Sequence, residues 1–115
     1  MNVAIVGTRE PKISYEKFKT LVSAHVSQGY IIVSGGAKGI DSYARRYAEE
    51  SNLELHEYKP DYKKYGRGAP LVRNTTIVDD CDVLLAFPSE KSRGTYDTIR
   101  KATKLNKLVH VFKDI

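Results

Sequence analysis

Two short apolar runs, Val3-Ala4-Ile5-Val6 and Tyr30-Ile31-Ile32-Val33, each break almost at once into glycine and then into an amphipathic stretch. Four consecutive apolar residues without polar alternation suit a strand covered on both faces, as the strands of a parallel sheet are. Apolar run, glycine-bearing loop and helix-period stretch together make a βα unit, and a chain of such units folds as an α/β protein.

The rhythm continues along the chain. From Ser14 to about Gln28, Tyr15, Phe18, Leu21, Val22, His25 and Val26 recur at three- and four-residue spacing, which predicts a helix stopped by Gly29. Ile40 to Ser51 reads as a second helix with Tyr43, Ala44, Tyr47 and Ala48 on one face. Leu53-Glu54-Leu55-His56-Glu57 alternates, as a strand near the sheet edge with one wet face does. Tyr58 to Pro70 is irregular, basic and tyrosine-rich. Leu71 to about Asp80 reads as a short helix, Val83 to Phe87 as a fourth strand, Thr95 to Leu105 as a helix and Leu108 to Phe112 as a fifth strand. There is no repeat or linker, so residues 1–115 read as one domain: a doubly wound parallel sheet of about five strands, with helices on both faces.

Right-handed crossovers put every strand-to-helix loop on one edge of such a sheet and every helix-to-strand loop on the other. The second set, Ser27-Gln28-Gly29, Ser51-Asn52 and Asn106-Lys107, is short and plain. Glycine, hydroxyl and basic residues collect in the first set, after strands one, two and four. Ligands of open α/β sheets bind at that carboxyl edge, where strand order reverses.

The residues there favour an anion. Ser34-Gly35-Gly36-Ala37-Lys38-Gly39 follows a buried strand and opens a helix, so its glycines and the free N–H groups beyond them form a candidate phosphate cradle. Its spacing fits neither a Walker loop nor a dinucleotide fingerprint. Gly7-Thr8-Arg9 offers a hydroxyl and a guanidinium fork after strand one. Pro88, Gly94 and Thr95 stand after strand four. Asp41 is placed to cap its helix or to hold a sugar hydroxyl, and Arg73-Asn74 lies early in the third long helix. His25, His56 and His110 are scattered and read as structural.

Composition narrows the partners. Nineteen Lys and Arg against fourteen Asp and Glu leave a net charge of +5, which suits anionic partners. No run approaches the ~20 apolar residues of a membrane span, so no membrane is expected. A single cysteine, Cys81, and a start without signal-peptide character point to the cytoplasm. No Cys/His cluster has metal-ligand spacing, and no metal or cofactor is expected.

Taken in order, Gly7-Thr8-Arg9, the Ser34–Asp41 stretch, Arg73-Asn74 and Gly94-Thr95 resemble the SLOG superfamily, named for the Smf DNA-processing proteins and the lonely-guy phosphoribohydrolases. The resemblance covers essentially the whole chain. It looks closest to the small stand-alone YspA-like branch, with its SGGAxGxD, basic Tyr/Gly segment, RN, FP and GT in register. It implies a Rossmann-like fold, binding of a nucleotide or nucleotide derivative, and a homodimer. Lonely-guy enzymes resemble a PGGxGTxxE pattern whose glutamate is catalytic. Here Thr98 stands at that position, with Asp97 one residue earlier and about 100° round the helix.

Three functions follow as expectations. The first is a sensor, carrier or sequestering module for a small phosphate-bearing ligand such as ADP-ribose, NAD or a nucleoside monophosphate. It would use Gly35, Gly36 and Gly39 for phosphate, Thr8 and Thr95 as donors, and Arg9 and Arg73 as cations. The second is a nucleotide N-glycosidase with Asp97 or Asp41 as its carboxylate. The third is single-stranded nucleic-acid binding of Smf type, in which Tyr58, Tyr62 and Tyr65 stack on bases while Lys59, Lys63, Lys64 and Arg67 follow the backbone.

Overall fold

Val3, Ala4 and Ile5 are fully buried, and so are Ile32, Val33, Leu84, Leu85, Ala86 and Phe87, so three strands carry apolar side chains on both faces. That double burial is what the unbroken apolar runs require. The computed structural model describes residues 1–113. Five parallel strands, β1 (Asn2–Gly7), β2 (Ile31–Ser34), β3 (Glu54–Glu57), β4 (Val83–Phe87) and β5 (Leu108–Val111), lie in the order β3-β2-β1-β4-β5. The architecture is α/β and Rossmann-like.

Alternate residues of each central strand serve different layers. Val3, Ile5, Ile32, Leu85 and Phe87 pack with Phe18 and Val22 of α1 (Tyr15–Ser23) and with Ala44, Tyr47 and Ala48 of α2 (Ile40–Glu50). Ala4, Val6, Val33, Leu84 and Ala86 pack with Ile77 and Val78 of α4 (Ala69–Asp79) and Ala102 of α5 (Arg93–Lys104). Complete burial of one such side chain contributes roughly 1.5–3 kcal/mol, so the central strands and these two layers hold the fold.

Two elements differ from the sequence reading. Helix α1 stops at Ser23 rather than near Gln28. The chain turns out of helix there, and His25 packs against His110 of β5 with tilted rings and centroids 4.4 Å apart. The stretch read as irregular contains a helical turn, α3 (Tyr62–Tyr65), then a 3-10 turn over Gly66–Gly68. The Asp61 carboxylate starts α3 by accepting the Lys64 N–H, a cap that a basic, glycine-punctuated segment conceals.

Strand order sets the place of the site. The chain moves from β1 outward to β2 and β3, then returns to the other side of β1 for β4 and β5. The loops after β1 and β4 therefore part from one another, and a crevice opens between them.

Candidate functional site

That crevice is a cleft of about 970 Å³, lined by the β1–α1 loop, the start of the β2–α2 loop, Asp41, α4 and the β4–α5 loop. A second cleft of about 430 Å³ adjoins it under α3. Arg9, Gly35, Ala37 and Arg73 line both, so they form a saddle between the two spaces.

Glycines bring these loops together. A Cβ on Gly7 would lie 2.7 Å from both the Phe87 carbonyl oxygen and Ile40 Cγ1, and one on Gly39 would lie 2.4 Å from the Thr8 carbonyl oxygen. Gly39 also has φ +80°, which L side chains rarely adopt. The Thr8 N–H donates to Phe87 O at 2.9 Å, and the Ile40 N–H donates to Thr8 O at 3.0 Å. These contacts lock β1, β4 and the start of α2 into one unit.

The same contacts change the expected phosphate cradle. The first helical N–H of α2 is spent on Thr8, and the Ala37 N–H is spent on Asp41 Oδ2 at 3.0 Å. Asp41 thus closes the loop four residues before it instead of capping its own helix. Gly39 and Ser34 line neither cleft. Ser34 is fully buried at the end of β2, and its hydroxyl has no partner among the described residues. Gly36 and Lys38 face the smaller cleft, while Gly35 and Ala37 face both.

Arg73 is as much a clip as a charge. Its Nη1 donates to Gly35 O at 2.8 Å and to Tyr58 O at 3.4 Å, and its Nε donates to Asn74 Oδ1 at 3.1 Å. Burial pushes the guanidinium's pKa below its usual value, and the nearby Asp41 charge opposes this. Asn74 is buried and donates to Gly94 O and to Asp97 Oδ2, each at 3.2 Å.

Asp97 departs from the role expected of it. It is absent from the lining of both clefts. Its carboxylate meets Lys101 at 2.8 Å and Arg100 at 3.1 Å as well as Asn74. Burial pushes its pKa up, but these partners outweigh burial and hold the carboxyl below the ordinary range. The side chain ties α5 to α4. Thr98 lines the cleft with a hydroxyl bonded to Gly94 O at 3.0 Å, so no carboxylate occupies the position the lonely-guy pattern gives its glutamate.

Pro88, Gly94 and Thr95 line the larger cleft, as do Thr8 and Arg9. Thr8 accepts the Glu10 N–H at 3.2 Å, which leaves its own proton free to donate. Helix α5 begins two residues before Thr95, with Ser92 at its cap, and the Ser92 hydroxyl accepts the Ser89 N–H at 2.9 Å. Lys12 and Lys113 also line this cleft and were missed from sequence. Lys113 follows β5, and any residue just past a parallel strand lies at the carboxyl edge, so its position was a usable signal.

In the smaller cleft, Tyr62 is 58% exposed and stands with Lys59, Pro60 and Lys38. Tyr65 is 42% exposed and lines neither cleft. Tyr58 turns inward, packing on the core beside α4 and donating to Asp80 Oδ2 at 2.8 Å. The three tyrosines therefore divide, one structural and two open to solvent. Among the described residues no helix is long and apolar enough to cross a membrane, and no cluster could hold a metal ion.

A five-stranded parallel sheet with a crevice at its switch point defines the Rossmann-like fold class. Within that class, residues 1–56 match the family described as DNA recombination-mediator protein A. The DNA processing protein A of Helicobacter pylori, described as having a unique single-stranded DNA binding mode, superposes with a TM-score of 0.77 at 25% identity. That match covers 96% of this chain and 64% of the other. The gene 61 protein of Mycobacterium phage D29 is 37% identical over 82 residues, 66% of this chain and 66% of the phage protein. These matches accord with the Smf-like part of the SLOG superfamily. None of these descriptions names a small nucleotide-like ligand or a homodimer.

Proposed function

We propose that this chain binds single-stranded DNA along the carboxyl edge of its sheet, the strand passing from the Tyr62 cleft over the Arg9–Arg73 saddle into the switch-point cleft. The observation that carries this reading is Tyr62, an exposed aromatic side chain that shares a cleft with Arg9, Lys38, Lys59 and Arg73. A base stacks on a tyrosine face whatever its identity, while cations follow the phosphates. The Helicobacter pylori protein is described as a single-stranded DNA binder, which supports the same reading. Gly35 and Ala37 line the saddle, Lys38 adds charge in the smaller cleft, and Thr8, Asn74, Pro88, Gly94 and Thr95 shape the larger cleft. Within the superfamily we assign the chain to the YspA-like branch on its motif order.

The test is fluorescence anisotropy with a labelled single-stranded 20-mer and its duplex across a salt series. Neutralising about four phosphates predicts a slope of log affinity against log salt near −3 on a single strand. A strand that binds no better than duplex, or with a slope near zero, removes the reading.

A further inference from the structure

Asp41 is a carboxylate set into the wall of an otherwise cationic saddle. It is 7% exposed and lines the larger cleft. Oδ2 accepts the Ala37 N–H, but Oδ1 has no hydrogen-bond partner among the described residues. Oδ1 is not sealed away, because the Ser34 hydroxyl is the one fully buried side-chain atom without a partner among them. An unpaired acceptor at the edge of a cleft costs free energy unless something donates to it.

Charge decides which part of a bound nucleotide can lie there. A phosphate is drawn to Arg9, Lys38 and Arg73 and repelled by Asp41. The group against Oδ1 is therefore neutral and must donate. Within a deoxyribose strand the only donors are base N–H groups. Guanine carries two side by side, N1–H and N2–H, with no acceptor between them. Thymine's single N–H is flanked by two carbonyl oxygens, and the amino groups of adenine and cytosine sit beside a ring-nitrogen acceptor. Resting on the single-strand reading above, we propose that Asp41 is the specificity-determining residue of this site, accepting from the Watson–Crick edge of a guanine.

The surroundings make that preference depend on pH. Burial raises the Asp41 pKa to about 6, Glu57 from β3 adds to the rise, and the Ala37 N–H, Arg73 from α4 and Arg9 from the β1–α1 loop oppose it. A protonated Asp41 loses the acceptor that guanine needs. The preference holds above about pH 6 and fades below it.

The experiment compares an all-thymine 12-mer with an alternating thymine–guanine 12-mer by anisotropy at fixed salt. At pH 7.5 the protein should bind the guanine strand about tenfold more tightly, the order expected of a two-bond base contact. Asp41→Asn should lose the preference and bind the all-thymine strand more tightly, since a negative charge leaves the saddle. Its amide oxygen can still accept from Ala37, and a thermal melt checks the fold. At pH 5 the unmodified protein should lose the preference too, an outcome independent of any variant. Equal affinities at pH 7.5, or a preference that survives Asp41→Asn, overturn the proposal while leaving strand binding intact. So does tighter binding of an all-uracil ribose strand than its deoxyribose form, lost in Asp41→Asn, because the acceptor then takes a sugar hydroxyl. If neither strand binds, strand binding itself fails and this inference fails with it.

Discussion

Arg73 donates from Nη1 to the carbonyl oxygen of Gly35 at 2.8 Å, which fastens helix α4 to the loop that follows β2. A Cβ on Gly35 would sit 2.6 Å from that same nitrogen, so the approach depends on glycine. The guanidinium also reaches Tyr58 O and Asn74 Oδ1, a fork that an ammonium cannot reproduce. Arg73→Lys should therefore lower stability by about 1–3 kcal/mol despite keeping the charge. Urea unfolding measures it, and an unchanged midpoint would show the clip to be dispensable.

Gly39 and Gly94 look alike in sequence, since both stand at or just inside the start of a helix. A Cβ at Gly39 meets the Thr8 and Arg9 backbone within 2.6 Å, at φ +80°. One at Gly94 meets nothing within 4 Å. Gly39→Ala should cost about 2 kcal/mol or more, from backbone strain and the clash together. Gly94→Ala should be neutral or slightly stabilising, because alanine is the better helix residue. Thermal melts of the two variants side by side decide between a packing role and a ligand role for each glycine.

This contrast shows what was legible in the chain. The apolar runs gave β1, β2 and β4 to within a residue or so, because a strand buried on both faces leaves no freedom in its composition. The half-exposed edge strands β3 and β5 were placed from shorter, mixed patterns. The carboxyl-edge placement of Thr8, Arg9 and Thr95 followed from strand and loop order alone, whereas Arg73, inside α4, had two possible faces and only the fold turns it to the cleft. Which glycines serve packing, and that Asp97 spends its carboxylate on Lys101, Arg100 and Asn74, depend on distances between segments far apart in the chain. No local pattern carries those distances.

The Asp97 cluster predicts an acid limb in stability. Its carboxyl titrates below the ordinary 3.8 in the folded chain, so its contribution is present above about pH 4 and is lost as the pH falls through the lowered value. Asp97→Asn should flatten unfolding free energy against pH below 4 and leave the slope near pH 7 unchanged. A slope that persists in the variant assigns the acid limb to other carboxylates.

His56 works in the opposite direction. Its Nδ1 lies 2.8 Å from Asp80 Oδ2 and its Nε2 lies 2.6 Å from Glu54 Oε2, so β3 is clamped to the end of α4. The Asp80 hydrogen bond, then that of Glu54, raises the imidazole above 6.5, while Asp80 itself is held low. The clamp is strongest between those two titrations: it is fully present below pH 6.5 and lost as the pH rises through the raised histidine value. His56→Gln should remove that loss, which denaturation at pH 5.5 and 8.5 would detect as a smaller difference between the two.

Tyr62 and Tyr65 provide the sharpest test of where a strand lies. Both are exposed, both belong to α3 and both neighbour lysines, so composition and charge cannot separate them. Only Tyr62 lines the cleft that opens onto Arg9 and Arg73. Stacking of one base on an aromatic ring is worth about 1–3 kcal/mol, which corresponds to roughly 5- to 150-fold in affinity. Tyr62→Ala should lose affinity within that range, Tyr62→Phe should keep most of it, and Tyr65→Ala should change it less than twofold. Equal losses at the two positions would move the strand off the saddle and onto the outer surface of the basic segment, where the Arg73 clip would no longer shape its path.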